Sequence, residues 1–318
     1  MSEKRTTKEK VLAIIFVLFL FFIVGSLLLS ISLNNRKNTL KLQAAVAEQE
    51  INRLNLEKIA SVYIDESTIA TTTAESFITL AVLDQDNKKV LLEKKSGQVF
   101  PIASVTKLMT AMIVIDKIPL ETAVVATKET VGGDGTAFVL EPGKTYLAKD
   151  LINGMLISSD NDSAQLLASI IGENNFVDQM NAKAVQLGLT QTSFVNVTGL
   201  DPLVGMGPVN LSTVNDLANL MWHIKENYPK IFEITTQLGY NICATDKSCK
   251  TVTTTNQLLS DENLKYEIIG GKTGQTILAK KNLALIIKLP NDVSLINIVL
   301  GSDDNFQDSL NIINQIKL

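Results

Sequence analysis

The chain has 318 residues, a length that suits one large domain or two small domains with appendages. Hydrophobic residues make up 46% of it, the mean hydropathy is +0.19, and the formal net charge is −4 without large charged blocks. Because there is no basic stripe, we expect no nucleic-acid partner. The single histidine, His223, excludes a histidine-rich metal site, and we expect neither a metal nor a cofactor. It lies in the helical pattern LANLMWHIKENY, which favours a structural role over a Ser-His-Asp triad.

The N-terminus carries one long apolar segment. Residues 11–33 contain no charge and would extend about 34 Å as a helix, against about 30 Å for a hydrocarbon core. Four basic residues precede the segment and three follow it closely, a slight bias towards an N-terminus inside the cell. A cleaved signal peptide would have a shorter core and a small-x-small cleavage site, and neither is clear here. We therefore predict a cytoplasmic tail over 1–10 and an uncleaved transmembrane anchor over 11–33, with the remainder outside the cytoplasm.

The remainder divides into a stalk and a folded domain. Residues 34–60 are rich in Leu, Ala, Glu, Gln and Lys with few helix breakers, which predicts a helix leaving the membrane. The stretch TIATTTAES then has the composition of a linker. We assign 34–75 to a helical stalk and linker, and 76–318 to one domain.

That domain is predicted to combine a sheet with an inserted helical part. Two β-rich runs flank the polar turn 84–88, which predicts a hairpin, and three further strand-like runs follow residue 250. Apolar residues at i, i+3, i+4 spacing predict a helix from about Val105, and four more helices over 145–228. A long loop, NVTGLDPLVGMGPVN, interrupts them, and a last helix covers FQDSLNIINQIKL. This order predicts an α/β (α+β) fold whose sheet is built from both ends of the domain.

Two cysteines, Cys243 and Cys249, stand in the segment CATDKSC. Outside the cytoplasm they could close a small disulfide loop, and they could equally remain two unpaired thiols. The sequence leaves both possibilities open, and none of the chemistry predicted below depends on the choice.

The stretch FPIASVTKLMTAMIVID contains the only Ser-x-x-Lys of the chain, Ser104 to Lys107. Serine is a preferred helix N-cap, so Ser104 could simply start the apolar helix that follows. Alternatively, the two side chains share one helix face and form a nucleophile with its base. A lysine can act as a base only when neutral, a state that desolvation and neighbouring cations promote.

Two further motifs follow in order. A Ser-Asp-Asn triplet occupies 159–161, although Ser-x-Asn alone is a weak signal that recurs at 32–34 and 309–311. The only Lys-Thr-Gly occupies 272–274, at the end of an apolar β-run where glycines allow a substrate backbone to approach closely. Ser-x-x-Lys, Ser-Asp-Asn and Lys-Thr-Gly in this order are typical of class A β-lactamases and penicillin-binding proteins.

With these motifs, residues 76–318 resemble the D-alanyl-D-alanine carboxypeptidases, the low-molecular-mass penicillin-binding proteins. The resemblance extends through PIASVTKLMTA, FVLEPGKTYLAKDLINGMLISSDNDSA, MNAKAVQLGLTQTSFVNVTGLD, LSTVNDLANLM and TNQLL ahead of GGKTGQT. It implies a β-lactamase/transpeptidase-like fold, in which helices flank an antiparallel sheet and an inserted helical subdomain borders the active site. It also implies a serine peptidase that removes the terminal D-alanine from peptidoglycan stem peptides and is inhibited by penicillins and other β-lactams.

The resemblance assigns catalytic roles to particular residues. Ser104 would attack the carbonyl of the D-Ala-D-Ala bond, and Lys107 would take its proton. Ser159 would relay a proton to the leaving amine. The backbone N–H groups of Ser104 and Gln275 would form the oxyanion hole.

The resemblance also assigns substrate-binding roles. Asn161 would hydrogen-bond the substrate amide. Lys272 would supply positive potential and help to keep Lys107 neutral. Thr273 would bind the terminal carboxylate, and Gly274 would leave room for the substrate backbone.

Two departures from the family pattern bear on the activity and substrate preference. The family usually has glycine or alanine at the middle of the second motif, whereas this chain has Asp160. The resulting triplet, Ser-Asp-Asn, is the form found in class A β-lactamases. Those enzymes also need a glutamate for the deacylating water, and no Glu occurs over 190–225, so efficient β-lactamase action is not expected. After Lys-Thr-Gly the family often shows Tyr-Thr and then Ala-Gly, whereas this chain reads QTILAKKNLAL. The rim of the site is therefore altered.

The leading hypothesis is a membrane-anchored D-Ala-D-Ala carboxypeptidase. A D,D-endopeptidase would use the same residues on a cross-link, and the sequence does not separate the two. A β-lactamase and a non-catalytic wall-binding scaffold are weaker alternatives, the last because every catalytic position is filled.

Overall fold

The computed structural model describes residues 7–65, 71–132, 140–202, 207–262 and 264–318. The chain forms two compact units that divide between Glu57 and Lys58. Some predicted segments fall partly outside the described residues: 1–6 of the tail, 66–70 of the linker and 203–206 of the long loop.

The described residues form helices, strands and two 3₁₀ turns. The helices are α1 (Thr7–Ser61), α2 (Lys107–Lys117), α3 (Ala148–Ile157), α4 (Asn161–Ser169), α5 (Glu173–Gln186), α6 (Val214–Asn227), α7 (Pro229–Thr235) and α8 (Asn305–Ile313). The strands are β1 (Tyr63–Ile64), β2 (Ser76–Val82), β3 (Lys88–Lys94), β4 (Phe100–Pro101), β5 (Ala123–Val125), β6 (Thr145–Leu147), β7 (Leu211–Ser212), β8 (Gly239–Cys243), β9 (Cys249–Thr253), β10 (Glu267–Thr276), β11 (Lys280–Lys288), β12 (Ser294–Ser302) and β13 (Ile316–Lys317). The 3₁₀ turns are Ala103–Thr106 and Gln257–Ser260.

Helix α1 begins at Thr7 and runs without a break to Ser61. Of the described helices, it alone is long and apolar enough to cross a membrane, although a signal sequence near an N-terminus has the same length and composition. Its apolar side chains are exposed, as the 72% and 74% exposure of Phe21 and Phe22 illustrates. Helix α1 is therefore a candidate membrane anchor, and residues 34–61 continue the same helix.

An antiparallel five-stranded sheet organises the folded unit. Its strand order is β10-β11-β12-β2-β3, so strands from residues 76–94 lie beside strands from residues 267–302. Strands β2 and β3 form the predicted hairpin, and β10 to β12 are the three strands predicted near the end of the chain. Most of the helices lie between β3 and β10 in sequence. The predicted antiparallel sheet flanked by helices, with an inserted helical part, is confirmed.

The interior strands β11 and β12 each have an apolar middle segment because both faces of the sheet are covered there. Successive side chains of a strand point to opposite faces. Leu283 and Leu285 pack into one apolar cluster with residues of α8, whereas Ala284 and Ile286 pack into the larger cluster of the inserted helices. The sheet therefore forms a rigid support for its edge strand β10, which carries the Lys-Thr-Gly motif.

The inserted segment is built around α2. Its residues from Lys107 to Val114 are all buried, and α3, α4, α5 and α7 pack against it. The four helices predicted over 145–228 correspond to α3, α4, α5 and α6. Helix α7 and the β8–β9 hairpin were not predicted, because the segment Pro229–Thr253 mixes short apolar and polar runs without a clear period.

The structure corrects two details of the prediction. Ser104 lies inside the 3₁₀ turn that leads directly into α2, and no side chain caps either element, so the N-cap interpretation of Ser104 is wrong. At the C-terminus, α8 ends at Ile313, and Ile316–Lys317 forms a short strand that pairs with Tyr63–Ile64. This pairing joins segments that are far apart in sequence, so helical periodicity does not reveal it.

Cys243 and Cys249 form a disulfide bond. They are the directly opposed residues that end β8 and begin β9. Of the two possibilities left open by the sequence, the structure therefore has the small closed loop, which ties together the tip of an exposed hairpin.

Candidate active site

Ser104 is positioned by a tight turn that packs against the edge strand. Ala103, just before it, has a left-handed backbone with φ 46°, and the 3₁₀ turn begins there. Gly274 of β10 lies so close that a Cβ on it would come within 2.9 Å of the Ile102 carbonyl oxygen and 3.1 Å of Ser104 N. Only glycine allows this approach, and it brings the Lys-Thr-Gly strand directly beside the serine.

Lys107 is fully buried and makes three close polar contacts. Its Nζ lies 2.8 Å from Ser104 Oγ and donates to Asn161 Oδ1 at 2.6 Å and to the Thr198 carbonyl oxygen at 2.9 Å. Asn161 Oδ1 and the Thr198 carbonyl can only accept hydrogen bonds. A neutral amine has two N–H groups for these acceptors and one lone pair left over. The remaining contact then directs that lone pair at the hydroxyl of Ser104.

The electrostatics of the site favour this neutral amine. Burial, and then the nearby positive charge of Lys272, hold the pKa of Lys107 well below its ordinary value, while Asp160 acts in the opposite direction. Burial also lowers the pKa of Lys272, to about 7. Two buried lysines close to one another are costly to protonate together, which is the condition under which one of them can act as a base.

The Ser-Asp-Asn motif turns the chain from α3 into α4. Ser159 has a left-handed backbone with φ 61°, which is uncommon for a residue other than glycine. Asp160 is the N-cap of α4, and its carboxylate accepts a hydrogen bond from Ser163 N at 2.7 Å. Asn161, the first residue of the helix, holds Lys107. Asp160 therefore has a structural role as the N-cap of α4.

The Lys-Thr-Gly motif forms the opposite wall of the site. Lys272 is buried and donates to the Thr273 carbonyl oxygen at 3.1 Å. The Thr273 hydroxyl lies 2.6 Å from the Thr255 hydroxyl. The next residue, Gln275, is exposed at the end of the strand. The two hydroxyls form a small polar group that faces the cleft.

An open cleft of about 440 Å³ joins the two walls. The predicted site residues that line it are Ser104, Ser159, Asn161, Thr273, Gly274 and Gln275. Lys107 and Lys272 are buried and do not line it, and Ser159 makes no hydrogen bond to Ser104 or Lys107 among the described residues. His223 lies on α6 away from the cleft, beside Asn227. In the part of the chain that the structure describes, no group of three His, Cys, Asp or Glu side chains could hold a metal.

The sequence analysis did not identify the loop around Thr198, whose backbone carbonyl accepts a hydrogen bond from Lys107. Thr198 supplies the carbonyl, and the next residue, Gly199, has a φ of +84°. Asn210 fixes the loop, because its amide donates to the Thr106 hydroxyl and to the Asn196 carbonyl, both at 2.9 Å. A Cβ on Gly199 would lie 1.9 Å from the Ala103 carbonyl oxygen. In the sequence, the feature that could have indicated this loop is the pattern Asn-Val-Thr-Gly at 196–199, which places a glycine within a long loop.

We expect Gly199→Ala to destabilise the folded protein by about 2–4 kcal/mol and to reduce its activity, since both the left-handed backbone and the collision with Ala103 must be relieved. Gly143→Ala is the matched control, because Gly143 has a φ of +86° and open space around its Cβ position. Urea unfolding of both variants separates the cost of the left-handed backbone, which both variants have, from the cost of the collision with Ala103, which only Gly199→Ala has. Equal losses of stability in the two variants would show that the close approach to Ala103 contributes nothing.

Comparisons with known proteins agree with this geometry. The family described as D-alanyl-D-alanine carboxypeptidase matches residues 63–304. The D-alanyl-D-alanine carboxypeptidase DacB2 of Mycobacterium tuberculosis is 32% identical over 205 residues, which cover 64% of this chain and 67% of that protein. A D-alanyl-D-alanine endopeptidase of Pseudomonas aeruginosa is 40% identical over 144 residues, 44% of each chain.

A solved structure agrees as well. Penicillin-binding protein D2 of Listeria monocytogenes, in its ampicillin-bound form, superposes with a TM-score of 0.65 at 25% identity, over 77% of this chain and 98% of that one. The family resemblance and the transpeptidase-like fold predicted from the sequence are thus confirmed. Because the family match spans well over half of the chain, the chain belongs to the D-alanyl-D-alanine carboxypeptidase family of serine peptidases.

Proposed function

We propose that this protein removes the terminal D-alanine from peptidoglycan stem peptides through an acyl-enzyme on Ser104, and that penicillins acylate the same serine. The observation that carries the proposal is the contact set of Lys107, in which two carbonyl acceptors leave the lone pair of a neutral amine for the Ser104 hydroxyl. An unactivated serine hydroxyl is a weak nucleophile. A base 2.8 Å from its oxygen can accept the proton and so increase its reactivity.

Acylation follows from this arrangement. The proton of Ser104 passes to Lys107 Nζ while the serine oxygen bonds to the substrate carbonyl carbon. The negative charge that forms on the carbonyl oxygen is received by the backbone N–H groups of Ser104 and Gln275. The N–H of Ser104 lies in the first turn of a 3₁₀ element, where backbone donors have no partner within the helix. Such a donor typically contributes about 3–4 kcal/mol to the transition state.

The leaving group then needs a proton as its C–N bond breaks. Ser159 lines the cleft opposite Ser104, and its hydroxyl has no hydrogen-bond partner among the described residues, so it is available to relay the proton from Lys107 to the amine of D-alanine. This transfer returns Lys107 to its neutral form. In the second step Lys107 takes a proton from the water that attacks the acyl-enzyme and passes it to the Ser104 oxygen as the acyl bond breaks. This two-step route regenerates the resting site.

Substrate binding uses the two walls of the cleft. Asn161 is held by Lys107 through its carbonyl oxygen, which leaves its amide free to bind the substrate backbone. Gly274 admits that backbone beside the strand, and Thr273 offers a hydroxyl to the terminal carboxylate. Lys272 adds positive potential behind Thr273.

A D,D-endopeptidase is the second candidate, because one relative that carries this name is 40% identical over 144 residues. It would cleave a D-alanyl bond in a cross-link with the same residues. A β-lactamase is less well supported, since no glutamate occurs over 190–225 to activate the deacylating water. A non-catalytic scaffold would not require a buried lysine pair at the serine.

We further propose that α1 anchors the protein in the cell membrane as a single span, with the N-terminus inside and the catalytic unit outside the cytoplasm. The uncharged residues 11–33 and the slight excess of basic residues before them support this topology. The disulfide between Cys243 and Cys249 supports an oxidising compartment.

The test of the proposed function uses the full chain in detergent. Labelled penicillin is added, the adduct is located by peptide mass spectrometry, and D-alanine release from a pentapeptide is measured alongside. We expect one stable adduct on Ser104 together with free D-alanine. No adduct and no D-alanine release would overturn the proposal, rapid loss of the label would indicate a β-lactamase, and cleavage of cross-linked dimers alone would indicate an endopeptidase.

Replacing Lys272 with methionine should stabilise the fold while reducing activity. The pKa of Lys272 is about 7 in the folded protein against 10.5 for an ordinary lysine, so between these values the unfolded chain binds more protons and the free energy of unfolding rises with pH. Methionine removes the cost of burying the charge, about 2–4 kcal/mol at pH 7. Urea unfolding at several pH values should show the advantage of the variant shrinking towards pH 10. An unchanged or lower stability at pH 7 would contradict this account.

A further inference from the structure

The altered rim of the site, QTILAKKNLAL, contains two adjacent lysines at the start of β11. Lys280 has a left-handed backbone with φ 54°, and its ammonium is paired with Glu75 at 3.6 Å and Asp303 at 3.4 Å. Lys281 has no ion pair and no hydrogen bond from its ammonium among the described residues. Only Lys281 of the two lines the cleft.

The register of the sheet places Lys281 on the same face as Thr273 and Gln275 of β10. Lys281 lies directly opposite Gln275, and directly opposed residues in an antiparallel pair share a face. Gln275 and Thr273 are two residues apart in one strand, so they share that face as well. This face of the sheet therefore carries Thr273 and Gln275 on the edge strand β10 and the partly exposed Lys281 on the neighbouring strand β11, and all three line the cleft.

The Lys281 ammonium forms no ion pair with an acidic side chain in the ranges that the structure describes. Lys272 is buried and donates to the Thr273 carbonyl oxygen. Asp304 is an acidic residue that lines the cleft, and its carboxylate caps α8 by accepting from Gln307 N at 3.2 Å. No ion pair joins Asp304 to Lys281 in the described part of the chain, so the Lys281 ammonium is available to an anion entering the cleft.

We propose that Lys281 binds the free carboxylate of the substrate's C-terminal D-alanine and thereby sets the preference for chain ends. This inference rests on the proposed function, in which the carboxylate lies two bonds beyond the scissile nitrogen on the Thr273 side. The hydroxyls of Thr273 and Thr255 are neutral donors. Lys272 is buried behind Thr273, whereas Lys281 is partly exposed and adds a second positive charge that lines the cleft itself. Hydrogen bonds between ionised partners are shorter and about twice as strong as neutral ones, so this contact separates a carboxylate from an amide of the same shape.

The test compares two peptides that end in D-Ala-D-Ala, one with a free carboxylate and one with a C-terminal carboxamide. In the wild type we expect the acid to have the higher kcat/KM. Lys281→Gln should lower kcat/KM for the acid by about tenfold, chiefly through KM, and leave the amide unchanged. Lys281→Arg should restore most of the preference for the acid. Lys280→Gln removes the same charge one residue away from the cleft and should leave both peptides unaffected.

Several results would overturn the inference. An equal loss on acid and amide in Lys281→Gln, or the same loss of preference in Lys280→Gln, would show that Lys281 does not recognise the carboxylate. A wild type that cleaves acid and amide equally would show that no such preference exists. Failure of the proposed function gives a different pattern, since the wild type would then cleave neither peptide and take up no labelled penicillin.

Discussion

Replacing Ser104 with alanine is expected to abolish covalent labelling by penicillin and to lower kcat for D-alanine release by about 10⁶-fold, the scale on which serine peptidases lose activity without their nucleophile. The loss is this large because Asn161 and the Thr198 carbonyl hold Lys107 beside the Ser104 hydroxyl, and without that hydroxyl Lys107 has no nucleophile to activate. Stability should change little, since the Ser104 side chain is only partly buried in the cleft. Gel fluorography of the labelled protein and a D-alanine assay measure the two effects.

Ser158→Ala is the matched control for the Ser104 variant. Ser158 lines the same cleft, but its hydroxyl donates to the Gly154 carbonyl oxygen at 2.9 Å and has no basic partner among the described residues. It should therefore keep the label and most of the activity. Undiminished labelling of Ser104→Ala would place the nucleophile elsewhere and remove the basis of the acyl-enzyme route.

The catalytic centre could be predicted from the sequence because its parts are set by short-range geometry. Ser104 and Lys107 are one turn apart, and this spacing places them together whether the turn is 3₁₀ or α-helical. Asn161 and Lys272 were found through their motifs, and the buried sheet was found through its apolar runs. The resemblance to the family supplied the long-range pairing of these motifs, which periodicity alone does not give.

The residues that position the catalytic groups were not predicted, since most of them act through contacts between segments that are distant in sequence. The Thr198 carbonyl reaches Lys107 across 91 residues of sequence, and it contributes a backbone atom that no side-chain pattern marks. Thr255 lies beside Thr273 only because the segment after β9 runs along the cleft. Asp160 was identified from the sequence only as a departure from the family pattern, and the structure shows that its carboxylate caps α4.

Replacing Lys107 with methionine is expected to lower the rate of acylation by labelled penicillin about 10³–10⁴-fold, the upper range for loss of a general base. Methionine keeps an unbranched side chain in the buried space and removes only the amine. The binding of penicillin before acylation should change little, because Lys107 does not line the cleft. Rapid-quench kinetics separates the two steps, and an unchanged acylation rate would mean that another group accepts the serine proton.

The pH profile of acylation tests the same residue in the wild type. Burial, and then the charge of Lys272, hold the pKa of Lys107 well below its ordinary value of 10.5. Only the neutral amine has a lone pair for the Ser104 proton. Acylation should therefore be constant at alkaline pH and fall as the pH drops below this lowered pKa.

Two variants should move the acid limb of that profile, the pH range in which acylation falls, in opposite directions. Lys272→Met removes a neighbouring positive charge, so the pKa of Lys107 rises and the acid limb moves to higher pH. Asp160→Asn removes a negative charge that stabilises protonated Lys107, so the limb moves to lower pH, and asparagine keeps the cap of α4. Shifts of opposite sign identify Lys107 as the titrating base, because one group responds to both neighbours. A limb that stays at the same pH in both variants would assign the titration to a different group and leave Lys107 without its role as the base.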